Sequence, residues 1–411
     1  MATATLTKFD YQVRDKGGKL VSGQLEAEDR NTVARKLASM GYSPIRIDEV
    51  KTSGLNTEIN IPGMNRVKLK DLAIFSRQFS TMISSGLSLI RSLSILAEQT
   101  ENKKLAETVN EVRLQVESGN SLSQAMAAHP KVFSNLYVAM VRAGEAAGML
   151  DLVLLRIADM YEKDVELRSK IKSAMTYPVI VLILAILLTT VMLIFIVPTF
   201  ANMFDDLGGE LPLMTRMLVA ASQFVTSIWG LITYIVVPTA AWFSYKAIRA
   251  NPQGRYALDA LKLKLPVFGP LFQKIALSRF SRNLSTLMAA GVPILQALEI
   301  TSDTVNNGVM GSAIRDVKES VREGETIAGP LSHHEIFPPM VVQMIAVGEE
   351  TGNIDGMLSK IADFYDVEIA STTEALTSLM EPLMIAVIGG IVGGMVISLY
   401  LPMFQVFDLI Q

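Results

Sequence analysis

The chain contains one sequence unit twice. Residues 75–86, FSRQFSTMISSG, recur 205 positions later at 280–291 as FSRNLSTLMAAG. The correspondence continues beyond Phe133 with an offset of 204, and we expect the single insertion or deletion in the loop before that residue. A repeat of this length predicts two similar structural units, because each copy carries the same pattern of buried and exposed positions.

Farther along, both copies retain a motif of the form G-E-x-x-G-x-x-D. Its two versions are Gly144, Glu145, Gly148 and Asp151, and Gly348, Glu349, Gly352 and Asp355. The glycines are expected to serve a turn. For the glutamates we consider, in this order, a carboxylate that caps the amides of the next helix, a place at a subunit interface, and a divalent-cation ligand.

Each soluble copy is predicted to be a bundle of about six short helices. Apolar residues recur at helical spacing from Leu72 to Ile83, which indicates one buried face. Gly86 and Gly291 follow such faces and are predicted helix C-caps, since glycine adopts the left-handed conformation at little cost. The last helix of each copy is expected to continue towards the membrane.

Three apolar stretches are long enough to cross a membrane, and we place the spans at 177–202, 224–246 and 382–405. Pro178 to Phe200 carries no charge, and as a helix it covers about 33 Å. Lys and Arg residues precede the first span and follow the second. Because such residues stay on the cytoplasmic side, the N-terminus is predicted inside and the C-terminus outside.

The same rule assigns the regions between the spans. Two homologous cytoplasmic helical domains are expected at 67–173 and 250–380, with a periplasmic loop at 203–223 and a periplasmic tail at 406–411. Residues 1–50 show strand alternation around DKGGK and one short helix, which predicts a small α+β module. The polar stretch 51–66 is predicted to be a linker. The fold class is therefore an all-α polytopic membrane protein with a small N-terminal α+β module.

Prolines and glycines give the spans two further features. Pro178 and Pro382 precede the apolar runs, where a proline sets either a fixed bend or a hinge that passes motion into the membrane. The third span contains overlapping G-x-x-x-G patterns, formed by Gly389, Gly390, Gly393 and Gly394. Such patterns allow close helix contact, either with the other spans of the chain or with another subunit or a pilin helix.

Several function classes are excluded by what the sequence lacks. It has no cysteine, no G-x-x-x-x-G-K-[ST] and no H-E-x-x-H, and its net charge is -3 without a basic block. Apart from Lys246 at the end of the second, the predicted spans hold no Asp, Glu, Lys, Arg or His, and a proton relay or ion path would need such residues. We therefore predict no catalytic residue, cofactor, metal site or nucleic-acid partner.

Taken together, these features resemble the PilC/GspF family, the inner-membrane platform proteins of type IV pili and type II secretion systems. The resemblance covers essentially the whole chain. It rests on the phenylalanine-serine start of each repeat, the duplicated G-E-x-x-G-x-x-D, Tyr177-Pro178 and Glu381-Pro382 before two of the spans, and the N-terminal FDYQVRDKGGKLVSGQLEAED.

The resemblance implies a function and partners. Family members form oligomers, contact a hexameric assembly ATPase from the cytoplasm, and are thought to lift pilin or pseudopilin subunits from the membrane into a filament. A retraction ATPase and other inner-membrane assembly proteins are further partners that it implies. The pilus platform is the preferred interpretation, the type II secretion platform the alternative, and a transporter permease subunit a distant third.

Overall fold

The computed structural model describes residues 7–14, 20–27, 29–39, 41–49, 66–206 and 211–409. Two compact units divide the chain, one from Met1 to Asn65 and one from Arg66 to Gln411. The predicted turn DKGGK and nearly all of the predicted linker 51–66 lie outside the described residues.

The N-terminal unit is a three-stranded antiparallel sheet with one helix. Its elements are β1 (Thr7–Arg14), β2 (Leu20–Ala27), α1 (Arg30–Ser39) and β3 (Ser43–Glu49). The strand order is β2-β1-β3, and β1 pairs Val13 with Val21 and Tyr11 with Ile47. Alternate residues of β1 meet one face of α1, so Phe9 and Val13 are buried with Leu37.

In the second unit each copy of the repeat contributes six helices, as predicted. The first copy comprises α2 (Leu69–Ser84), α3 (Leu89–Gln99), α4 (Lys103–Glu117), α5 (Leu122–Ala127), α6 (Asn135–Ala147) and α7 (Leu150–Val191). Polar caps mark the breaks between them: Ser121 and Ser134 accept hydrogen bonds from the amides of Gln124 and Tyr137.

The region between the copies and the second copy itself are also helical. After a π-helical segment, Met192–Ile196, come α8 (Val197–Asp206), α9 (Leu213–Thr226), α10 (Ile228–Ala250) and α11 (Pro252–Lys264). The second copy comprises α12 (Gly269–Ala289), α13 (Ile294–Thr304), α14 (Gly308–Arg322), α15 (Ala328–Leu331), α16 (Pro339–Thr351) and α17 (Ile354–Leu409).

Among the described residues, three helices are long and apolar enough to cross a membrane, and each overlaps one of the three predicted spans. They lie within Leu150–Met203, Ile228–Ala250 and Ile354–Pro402. The first and third are single rods that begin in the soluble copies. Pro178 and Pro382 lie inside them and interrupt neither helix.

Two predicted boundaries around the spans are wrong. The segment 203–223 is largely helical, because α9 follows Pro212 and continues to Thr226. The second span therefore begins at Ile228 and not at residue 224, since Ser227 ends α9 and caps α10 through the amide of Gly230. The expected tail from residue 406 also belongs to a helix, because α17 runs to Leu409.

Helix α9 joins the span ends of the two rods. Thr215 donates to the carbonyl of Ser398 in α17, and Ser222 donates to the carbonyl of Leu193 in the π segment, each at 2.5 Å. A π segment frees carbonyls from the i→i−4 ladder, and a side-chain donor satisfies one of them here. The two rods therefore run in the same direction and end side by side.

One apolar core holds both copies together. Phe75, Phe79, Phe133 and Tyr137 stack in the first copy, with ring centroids 5.1 to 6.0 Å apart. The second copy keeps only one pair of this stack, Phe280 with Phe337 at 5.1 Å. Both groups belong to the same continuous cluster of buried residues, so the copies fold as one body.

Candidate functional site

The first repeated glutamate binds the start of a short helix in its own copy. Glu145 lies at the end of α6. Its carboxylate oxygens accept hydrogen bonds from the backbone amides of Leu122 at 2.5 Å and Ser123 at 3.0 Å, in the first turn of α5. These amides have no partner within their helix, and a negative charge is favourable at that end.

The second glutamate makes the same contact. Glu349 of α16 accepts from the amides of Ile327 at 2.5 Å and Ala328 at 2.9 Å, where α15 begins. We expected the glutamates to cap the next helix, and the structure corrects this to the preceding one. Because α6 and α16 fold back along α5 and α15, their last turns lie beside the starts of those short helices.

The motif glycines have two different roles. Gly148 and Gly352 end their helices with φ of +67° and +70°, a conformation that glycine adopts without steric cost. Gly144 lies within α6 and not in a turn, contrary to the expectation. A Cβ there would approach Val153 of α7 to 3.0 Å, and one at Gly348 would come equally close to Ile354. These two glycines let adjacent helices pack closely.

The remaining repeated residues lie at helix ends. Asp151 and Asp355 occupy the first turns of α7 and α17, where a carboxylate is favourable towards the helix dipole. Gly86 and Gly291 follow α2 and α12 with φ of +83° and +81°. All of these positions serve the local geometry of the bundle.

A charged cluster that the sequence interpretation missed is also duplicated. In the first copy the guanidinium of Arg77 binds Glu162 through Nε and Nη2, at 2.7 and 2.5 Å, and Asp159 at 2.5 Å. These hydrogen bonds, that to Glu162 foremost, raise the pKa of Arg77. The hydrogen bond from Arg77 also holds the pKa of Glu162 below its usual value.

In the second copy Arg282 takes the place of Arg77. It contacts Asp366 at 2.5 Å and Asp363 at 3.4 Å, and Ser278 donates to Asp366 at 2.6 Å. Burial raises the pKa of Asp363, but the hydrogen bond from Lys163 and the charge of Arg282 outweigh it and lower that pKa.

A sequence signal for this cluster was available. Arg77 and Arg282 are the third residues of the repeated FSR, and Asp159 recurs as Asp363. What the sequence could not show is that α2 lies against α7, and α12 against α17, with these charges in contact.

The two copies meet through charged and apolar contacts. Lys163 of α7 lies 2.7 Å from Asp363, and Asp164 lies 3.6 Å from Arg279 of α12. Beside these ion pairs, Leu167 belongs to a small apolar cluster with residues of α12 and α17. The contact leaves a polar cavity of about 400 Å³ between the copies.

Two of the carboxylates that line the cavity are engaged with arginines. Asp164 faces Arg168 at 3.1 Å as well as Arg279, and Asp366 is bound by Arg282. Burial lowers the pKa of Arg279, and the charge of Asp164 opposes that effect. Among the residues that the structure describes, no group of three or more histidine, aspartate or glutamate side chains could hold a metal ion. These charges brace one copy against the other.

The glycine-rich stretch of the third span lies open. A Cβ at any of the four positions would meet nothing within 4 Å in the described part of the chain. This stripe comprises Gly389, Gly390, Gly393 and Gly394 of α17. It is therefore not used for packing within the chain, which was one of the two uses predicted for it. Contact with another helix stays a prediction.

Comparison with known proteins identifies the family. The family model described as type II secretion system protein F matches residues 75–198 and again 280–402, so the internal repeat is confirmed. The model of the N-terminal domain of the same protein matches residues 1–48. The chain thus belongs to the type II secretion system protein F family, in which PilC and GspF proteins are grouped.

Its relatives include proteins of both machines. The chain is 46% identical to the type IV pilus assembly protein PilC of Thermus thermophilus, over 97% of the chain and 98% of that protein. It is 43% identical to PilC of Myxococcus xanthus, over 98% and 96%. The type II secretion system protein F of Vibrio cholerae is 30% identical, over 99% and 100%. With three helices suited to spanning, the chain is a multi-pass inner-membrane protein.

Proposed function

We propose that this chain is the inner-membrane platform of a type IV pilus machine, which couples the motion of a cytoplasmic ATPase to the insertion of pilin into the filament. The observation that carries the proposal is similarity over 92% or more of the chain to four type IV pilus assembly proteins at 37 to 46% identity, against 30 to 32% for the type II secretion relatives. One further pilus relative, the type 4 fimbrial assembly protein PilC of Pseudomonas putida, is 31% identical. The equivalent platform of a secretion system is the second candidate, because the matching family model bears that name.

In this proposal the platform works without catalysis of its own. The N-terminal unit, 67–173 and 250–380 lie in the cytoplasm, and α9 and the C-terminus lie outside. Its partners are a hexameric assembly ATPase, with or without a retraction ATPase, pilin or pseudopilin subunits, other inner-membrane assembly proteins and further copies of the chain. The helices α7 and α17 support this, since each runs from a soluble bundle into a span without a break.

The first experiment is electron microscopy of a deletion strain and its complemented control. Loss of surface filaments, with recovery on complementation, is the expected result. Filaments that persist in the deletion strain would contradict the pilus function, and the secreted proteins would then be compared for the secretion platform.

The ATPase contact is proposed at the start of α7. Met149, Leu152 and Leu155 are exposed there. About 28 residues of helix separate this start from Pro178, so it lies roughly 40 Å from the membrane span. An apolar patch at that distance suits a protein partner. Leu152→Asp should abolish co-purification of the ATPase with the full chain, whereas Leu114→Asp, on exposed α4 surface, should not.

The pilin contact is proposed at the glycine stripe of α17. Side chains at these positions would keep a partner helix from close approach. Gly393→Leu should abolish filaments while the protein level stays normal, and Val392→Leu beside it should leave filaments intact. Normal piliation in Gly393→Leu would contradict this part of the proposal.

A further inference from the structure

The two copies contact each other through different surfaces. The first copy contributes a ridge on α6 and α7, formed by Leu136, Met160, Lys163, Asp164 and Leu167. The second copy contributes a groove between α12 and α17, formed by Ile275, Ser278, Arg279, Asn283, Ile369 and Thr373. Leu167 of the ridge packs with Ile369 and Ile275 of the groove. Such a contact is head-to-tail, in which one surface of a unit meets a different surface of the next.

A head-to-tail contact leaves one ridge and one groove unused. Through the repeat offsets, the unused groove in the first copy comprises Lys70, Ala73, Ile74, Gln78, Val165 and Ser169. The unused ridge in the second copy comprises Met340, Phe364, Val367, Glu368 and Ser371. The unused groove of the first copy is open, with a volume of about 480 Å³. The corresponding groove of the second copy is filled by Leu167 of the ridge.

Burial differs between the used and unused surfaces as this pairing requires. Leu136 and Met160 are buried on the used ridge, whereas their counterparts Met340 and Phe364 are 38% and 45% exposed. In the groove, Ile369 is fully buried, whereas its counterpart Val165 is half-buried. The same fold therefore leaves apolar side chains exposed only where no neighbouring copy covers them.

At two positions the unused surfaces carry an apolar residue where the used surfaces carry a charge, whereas Leu167 and Ile275 correspond to the polar Ser371 and Lys70. Lys163 of the used ridge corresponds to Val367, which is 69% exposed. Arg279 of the used groove corresponds to Ile74, which is 48% exposed. Exposed apolar side chains at both ends of a potential contact favour burial against each other.

The direction of the spans allows the contact to be repeated. The contacts of Lys163 with Asp363 and of Leu167 with Ile369 advance together along α7 and α17, so the two rods are parallel. The rotation and translation that superpose the first repeat copy on the second therefore keep both spans in one membrane. A repeat copy of another molecule, placed by the same operation, has its span parallel to these two.

We propose that a second molecule of this chain docks at the unused groove. The unused ridge, in the second repeat copy of one molecule, then lies in the unused groove, in the first repeat copy of the other. Each chain then offers one free ridge and one free groove, and the assembly grows until a rotation closes it. The proposal names the contact surface of the oligomer proposed above, and it does not depend on whether the machine makes pili or secretes proteins.

Cross-linking tests the contact in the full chain in its native membrane. The chain has no cysteine, so the introduced thiols are the only ones that the chain carries. Ile74 and Glu368 are the counterparts of Arg279 and Asp164, whose side chains lie 3.6 Å apart. The variant Ile74→Cys/Glu368→Cys, treated with a short bismaleimide, should give dimers and larger species.

Two matched variants control the experiment. Asp164→Cys/Arg279→Cys should link within one chain, losing both free thiols to one cross-linker without forming dimers or larger species. Ile90→Cys/Glu368→Cys, with the exposed Ile90 on α3, should give no larger species. If Ile74→Cys/Glu368→Cys also gives none while the intrachain pair reacts, the proposal is overturned.

A charge substitution separates this contact from other occupants of the groove. Ile74→Asp and Val367→Asp should each shift the detergent-solubilised protein from oligomer to monomer, and Leu114→Asp should not. An unchanged oligomer in Ile74→Asp combined with loss of filaments would assign the groove to a different partner and overturn the proposal. Filaments lost together with the oligomer would agree with both proposals, and an oligomer lost with filaments retained would contradict the platform function alone.

Discussion

The two copies of the repeat share their connections but differ in their interiors and their neighbours. In both copies a glutamate accepts hydrogen bonds from the start of the short helix, and an arginine lies between two acidic residues. The first copy fills its centre with an aromatic stack, and the second replaces Phe79 by Leu284 and Tyr137 by Val341. The comparison teaches that the motif residues maintain the course of the chain, whereas the packing was free to change.

The largest expected effect tests whether the two interiors are equally important. Phe75 and Phe280 are equivalent and almost completely buried. Phe75→Ala and Phe280→Ala should each lower the free energy of unfolding by about 3 to 5 kcal/mol, through lost burial and a residual cavity. Thermal unfolding in detergent measures both. A large effect in one copy and a negligible effect in the other would show that one copy alone supports the core.

The next effect concerns the glutamates. Glu145→Ala and Glu349→Ala each leave two amides without their carboxylate, and we expect a loss of about 2 to 3 kcal/mol in each copy. Glu145→Gln and Glu349→Gln, which keep one acceptor oxygen, should lose less. Unfolding measurements on these four variants check the effect. If alanine is tolerated in either copy, the contact in that copy is not a structural requirement.

A smaller effect distinguishes the copies at one hydroxyl group. Ser76 donates to the hydroxyl of Tyr137 at 3.3 Å, whereas the equivalent Ser281 is buried without a hydrogen-bond partner among the described residues. Burial raises the pKa of Tyr137, so the phenol stays neutral at ordinary pH. Ser76→Ala should cost about 1 to 2 kcal/mol, and Ser281→Ala should be neutral or stabilising. Equal losses in the two variants would contradict this difference.

The smallest effect is a dependence on pH. The pKa of Glu162 lies below its ordinary value of 4.5 in the folded state, chiefly because Arg77 hydrogen-bonds to its carboxylate. Its stabilising contribution is therefore complete above the unfolded pKa and is lost as the pH falls through the folded pKa. Glu162→Gln should flatten the stability curve between about pH 6 and about pH 3. An unchanged acid limb would mean that the pair contributes nothing.

Much of the second unit could be predicted from the sequence because its signals are local. Helical periodicity, glycines such as Gly86 and uncharged runs fix the helices and spans without knowledge of the tertiary structure. The boundary at residue 224 failed because the apolar Phe224 and Val225 closely precede the apolar run that begins at Ile228. The decisive residue is Ser227, whose cap separates two helices.

The site residues were predictable as positions but not as contacts. Repetition singled out Glu145, yet its partner amides lie more than twenty residues earlier, on a helix whose direction only the fold determines. The contacts of Arg77 likewise follow only from the fold. So does the fact that the ridge and groove of one copy are covered where the equivalent surfaces of the other copy are exposed. A repeat shows which residues are equivalent, whereas their neighbours follow from how the copies are arranged.

The π segment Met192–Ile196 has a consequence for the span ends of the two rods. Its counterpart, residues 396–400, is ordinary α-helix, and the two sequences align there without an insertion. A π turn takes more residues than an α turn, so the first rod falls behind the second in angular phase by a fraction of a turn. Beyond the π segment, equivalent side chains of the two rods therefore point in different directions around their helix axes. At this end of the rods the duplicated protein therefore presents two dissimilar faces to the lipid and to any helix that approaches through it.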